Sequence, residues 1–114
     1  MSDNDFINAA DATLAAIGEA LDAALAGSDA DLDWSINDGI LEIECPDGSK
    51  LIVNRHAANR EIWVAARSGG FHFRREQGDW RDTRGGASLA VALTRLIAEQ
   101  GGLAVDLGRL SGEG

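Results

Sequence analysis

Asp29, Asp31 and Asp33 recur at every second position, and Glu19 and Asp22 precede them three residues apart, with Asp11 a further three helical turns upstream of Asp22. Asp3 adds another carboxylate near the start. No Lys or Arg occurs before Lys50, so none of these groups has a basic neighbour in sequence. Crowded carboxylates raise one another's proton affinity and attract cations, and an all-oxygen donor set suits hard ions such as magnesium, calcium, manganese or iron. Held on one helix and one strand edge, such a set does not enclose an ion; it binds weakly and promiscuously, as a contact surface more than a cage. A solvated face that maintains solubility is the competing reading of the same residues.

Trp63 is the second unusual residue. Alternation through Ile62, Val64 and Ala66 turns its indole to the outer face of a sheet, with Asn54 nearby and Arg74 beside it. An exposed Trp with an Arg neighbour reads as a protein-binding anchor, because these side chains dominate interface energetics. A cation-π pair that merely shields the sheet is the alternative. His56 and His72 are the only histidines, show no metal-ligand spacing and are expected on the surface. Cys45, the single cysteine, shares phase with Leu41 and Ile43 and is expected to be a buried small hydrophobe. With no Ser-His-Asp set, phosphate loop or Gly-rich dinucleotide motif, the chain reads as a binding protein and not an enzyme.

The charge is unevenly spread. Residues 1–49 carry −12 and the remainder +3, for a net charge of −9. An acidic chain repels phosphate backbones and anionic lipid, which argues against nucleic acid and membrane partners and for cations or a basic protein face. No apolar run approaches the ~20 residues of a membrane span. The first residues resemble neither a secretory nor a mitochondrial leader, and a lone cysteine fits a reducing cytoplasm, the expected location.

These residues must be positioned by a short series of elements. Phe6, Ala10, Leu14, Ile17, Leu21 and Leu25 recur at helical steps from Asp5 to about Leu25, after a capping box at Ser2 and Asp5. Alternation then begins at Leu32 and puts Asp29, Asp31 and Asp33 on the solvent side of a first strand. Asp38-Gly39 predicts a hairpin pairing Trp34 with Ile43 and Ile36 with Leu41, and Pro46-Asp47-Gly48 a bulged turn that leads to Leu51 and Val53. A hairpin around Ser68-Gly69 is expected to pair Val64 with Phe73 and Trp63 with Arg74, and a short sixth strand passes through Trp80. Leu89, Leu93, Leu96, Ile97 and Gln100 mark a closing helix that ends at Gly101-Gly102. The expected architecture is α+β: a two-layer α-β sandwich, with both helices on one face of a five- or six-stranded antiparallel sheet. A single domain over residues 1–110 is expected, with 111–114 a short flexible tail.

Gly48-Ser49-Lys50, Val53-Asn54-Arg55, Ile62-Trp63-Val64-Ala65, Gly69-Gly70-Phe71-His72-Phe73 and Asp79-Trp80 together resemble the bacterial frataxin (CyaY) family across the whole domain. The resemblance implies the same α-β sandwich, ferrous or ferric iron held weakly on an acidic ridge of the first helix and strand, and regulation of iron-sulfur cluster assembly. It also implies contact with a cysteine desulfurase and its scaffold protein, and a monomer in the absence of iron. By position, Glu19, Asp22, Asp29, Asp31 and Asp33 correspond to the ridge, with Asp3 and Asp11 as weaker candidates, and Asn54 and Trp63 to the sheet-face contact. Gly18, Ala23 and Ala26 stand where several relatives carry acids. An acidic interaction module with incidental divalent-cation binding is the other reading.

Overall fold

The computed structural model describes residues 2–108. Helix α1 spans Asp3–Ala26, opened by Ser2, whose hydroxyl accepts from the Asp5 N–H while the Asp5 carboxylate accepts from the Ser2 N–H. Its buried positions Phe6, Ala10, Thr13, Leu14, Ile17, Gly18 and Leu21 follow the 3–4 spacing of one face. Six strands follow as a meander in the order β1 to β6: Asp33–Asn37, Ile40–Glu44, Lys50–His56, Glu61–Ala66, Gly69–Glu76 and Asp79–Asp82. Helix α2, Leu89–Leu96, continues into a π-helical segment, Ile97–Gly101. Both helices cover one face of the all-antiparallel sheet, the expected sandwich.

Between β1 and β2, Asp38 and Gly39 both adopt left-handed backbone (φ 52° and 79°), the geometry of a tight hairpin turn. The resulting register pairs Trp34 with Ile43 and Ile36 with Leu41, as expected. Gly39 also lets the Arg55 guanidinium approach: a Cβ there would lie 2.7 Å from Arg55 Cζ. Leu41, Ile43, Leu51, Val53, Ile62, Val64, Phe73 and Trp80 form the sheet side of the core. Trp80 is fully buried, meets Phe6 edge-on with centroids 6.0 Å apart, and its indole N–H donates to Thr13 Oγ1 at 2.9 Å.

The structure departs from the sequence reading, or adds to it, in four places. The first strand begins at Asp33, so Asp29 and Asp31 lie in the preceding loop; β2 turns away at Pro46, which has no N–H to extend the ladder. Ile36 lies on the edge strand and stays 36% exposed, because the helices cover the middle of the sheet better than its rim. The β4–β5 hairpin turns at Arg67-Ser68, which pairs Val64 with Phe71 and Trp63 with His72. This shift of two residues keeps every side chain on its expected face while changing its neighbour. Finally, Leu103, Val105 and Leu107 alternate into the core beyond α2, where no element was expected. Residues 111–114, expected as a tail, lie outside the described residues.

Candidate functional site

The acidic ridge runs from the C-terminal half of α1 through the loop to the edge strand. Glu19, Asp22, Asp29, Asp31 and Asp33 are all exposed, and among the described residues none of the five forms an ion pair. Asp22 is fixed in another way: its Oδ1 accepts from Trp34 Nε1 at 2.8 Å. The indole reaches it by lying across Gly18, where a Cβ would stand 2.6 Å from Trp34 Cη2. The absence of a side chain at 18 thus makes room for the aromatic ring that orients the carboxylate at 22.

The other two carboxylates of the candidate set are engaged by arginines. Asp11 Oδ1 accepts from Arg55 at 2.6 Å, and Asp3 Oδ1 from Arg60 at 2.8 and 3.1 Å. At 1.5 Å of rise per residue, Asp3 lies roughly 28 Å along the helix from Asp22, too far to share an ion with it. The register adds one acid the sequence reading passed over: Glu44 stands directly opposite Asp33 at the sheet edge. Its neighbour Glu42 is taken by Lys50 at 2.7 Å, a contact that pushes the Lys50 ammonium up from its ordinary pKa. Among the described residues, no three His, Cys, Asp or Glu side chains converge as a ready-made metal site. The ridge is an open row of oxygens.

The second site lies on the uncovered face of the sheet. Asn54 is the cross-strand partner of Trp63, placing the two expected contact residues side by side. Arg74 does not flank the indole; it reaches Glu61 Oε2 at 2.7 Å. In its place, the observed register stacks His56 and His72 on the two faces of Trp63, with centroids 3.6 and 4.4 Å away and planes tilted by 10° and 9°. The Trp63 N–H donates to Glu61 Oε1 at 2.7 Å. Burial by itself would push the Glu61 carboxyl up, but hydrogen bonds from Trp63 and Arg74, with the charges of Arg74 and His72, hold it below its ordinary value. His56, His72 and Glu61 are thus parts of the site that spacing did not reveal; the signal lay in the hairpin register, and a turn at Arg67-Ser68 would have put His72 beside Trp63. Cys45 is buried as expected, and burial pushes its thiol up, away from the nucleophilic form.

The two-layer meander with an acidic first helix and a tryptophan on its open face has counterparts among known proteins. Residues 1–103 match the family model described as the frataxin-like domain. The chain belongs to the frataxin family. Among frataxin relatives, the iron-sulfur cluster assembly protein CyaY of Dechloromonas aromatica (strain RCB) is 51% identical over 108 residues, covering 94% of this chain and 99% of that protein. The protein of the same name from Burkholderia mallei (strain SAVP1) is 44% identical over 105 residues, covering 92% and 96%. The solved frataxin from Psychromonas ingrahamii superposes with a TM-score of 0.85 at 31% identity, covering 94% of this chain and 98% of that one. A trimeric frataxin from the yeast Saccharomyces cerevisiae, complexed with ferrous iron, gives a TM-score of 0.70 at 27% identity over 80% and 83% of the two chains. In this frataxin, the tryptophan on the open sheet face is lined by two imidazoles. No helix among the described residues is long and apolar enough to cross a membrane.

Proposed function

We propose that this chain is a non-enzymatic regulator of iron-sulfur cluster assembly in the cytoplasm, which holds ferrous or ferric iron weakly on the acidic ridge and meets a cysteine desulfurase, and with it the scaffold protein. The observation that carries the reading is the run of exposed carboxylates at Glu19, Asp22, Asp29, Asp31 and Asp33 with no ion-pair partner among the described residues. Family membership, the names of the CyaY relatives and the ferrous complex of the yeast frataxin support iron as the ion and cluster assembly as the setting. Iron is cargo on this surface. Oxygen ligands on an open row suit a hard, exchangeable cation, and other divalent ions compete for them.

The same carboxylates attract a basic protein face, so iron and the desulfurase oppose one another for the ridge. Asp3 and Asp11, already paired with arginines, contribute less. The sheet face around Asn54, Trp63 and Arg74 adds a second contact that needs no metal.

The test is a charge reversal. Replacing Asp29, Asp31 and Asp33 together by Lys is expected to weaken binding of ferrous iron and of the desulfurase alike, measured by titration calorimetry under anaerobic conditions. Iron binding that survives unchanged removes the ridge assignment. Trp63→Ala is expected to weaken the protein contact and leave iron binding as it was.

A further inference from the structure

The sheet-face contact has a chemical property that an exposed tryptophan alone does not have. Both faces of the Trp63 indole are covered, by His56 from β3 and His72 from β5, so a partner cannot stack on the ring. It meets the edges of three parallel rings, with the His72 side chain 49% exposed. Histidine is the side chain whose charge ordinarily changes between about pH 5 and 8. Resting on the protein-contact reading above, we propose that docking of a basic partner on this face is proton-linked: neutral His56 and His72 permit it and protonated ones oppose it.

The stack can accept protons without coming apart. An imidazolium over an indole face is held by cation-π attraction. For His72, Glu61 Oε1 lies 3.7 Å from Nδ1, ready to pair with the charge. His56 Nδ1 is buried with no hydrogen-bond partner among the described residues, so His72, with Glu61 at hand, is the better placed of the two to hold the added charge. The shape of the surface is therefore retained while its charge changes.

The neighbouring groups do not cancel that change. On β4, the single charge of Glu61 is shared between Arg74 and His72 of β5, and Arg81 of β6, opposite Arg74, is paired with Asp79. On β3, Asn54 is neutral, and its partner on β2 is Ile40. Further along, Glu42 and Lys50 neutralise each other. Protons on the two imidazoles thus add positive charge to a face whose nearby charges are balanced or positive, against a partner that the ridge selects for being basic.

The experiment measures the affinity of the full chain for purified cysteine desulfurase from pH 5.5 to 8 at constant ionic strength, for the parent and for His56→Gln, His72→Gln and the double variant. Affinity of the parent is expected to fall as pH falls, by up to about tenfold per pH unit for each linked proton. The double variant is expected to flatten that slope, whatever affinity it has at neutral pH. An equal slope in parent and double variant overturns the proposal while leaving the docking face intact. Absence of binding at every pH overturns the docking reading itself, and this proposal with it. Without any partner, the Trp63 indole resonances of the parent are expected to move with pH over the same range, and an indole that does not respond overturns the proposal independently.

Discussion

Trp34 Nε1 donates to Asp22 Oδ1 at 2.8 Å, tying one carboxylate of the acidic ridge to the edge strand of the sheet. The bond spans the junction between α1 and β1, the two elements on either side of the loop that carries Asp29 and Asp31. Its geometry depends on Gly18, one turn before Asp22, because the indole lies where a side chain at 18 would project.

Gly18→Ala is therefore expected to displace the indole and break the Trp34–Asp22 bond. Helix propensity gains up to about 1 kcal/mol from removing a glycine inside α1, and the lost hydrogen bond costs about as much. Stability is expected to change little while the environment of Trp34 changes considerably. The indole N–H resonance of Trp34 and its fluorescence maximum check this; a resonance at the parent position shows that the ring has not moved.

Thr13→Val removes the acceptor for the buried Trp80 indole N–H at nearly constant volume. Leaving that donor unpaired in the core costs about 1–3 kcal/mol. Urea denaturation is expected to show a lower midpoint with an unchanged slope, since neither compactness nor exposed area is altered.

Glu61 makes stability depend on pH. Its carboxyl is held below the ordinary value in the folded chain, so the unfolded chain takes up a proton first as pH falls. The stabilisation is complete above the unfolded carboxyl value of about 4.3 and is lost as pH drops from there through the lower folded value. Glu61→Gln is expected to cost about 1–3 kcal/mol at neutral pH and to flatten the acid limb of a plot of Tm against pH. A parallel acid limb in the variant means that other carboxylates dominate that region.

Periodicity and turn chemistry make the architecture legible in the sequence. Phe6 to Leu21 mark one helix face, and Asp38-Gly39 sets a register that pairs Trp34 with Ile43. The ridge is legible because the absence of any Lys or Arg before Lys50 is a property of the chain itself. The sheet-face site was less so. Ser68-Gly69 and Arg67-Ser68 are both plausible two-residue turns, the two alternatives keep the same faces, and only the paired neighbour of Trp63 differs. A turn at Ser68-Gly69 would place Arg74 opposite Trp63, where His72 stands, and the stack would not form. The bond from Trp34 to Asp22 was hidden for another reason: it joins residues 12 apart through a gap at Gly18 that exists only once helix and strand are packed.

Leu103, Val105 and Leu107 lie after the last helical segment, yet each is almost fully buried. Biosynthesis runs from the N-terminus, so the acidic helix and the whole meander leave the ribosome before these three side chains do. The core therefore cannot close before these three residues emerge, and the last native packing forms only after they do. Until then, the apolar surface that awaits them is open to chaperones, and a transcript cut short near Gly102 yields a chain that displays this surface permanently.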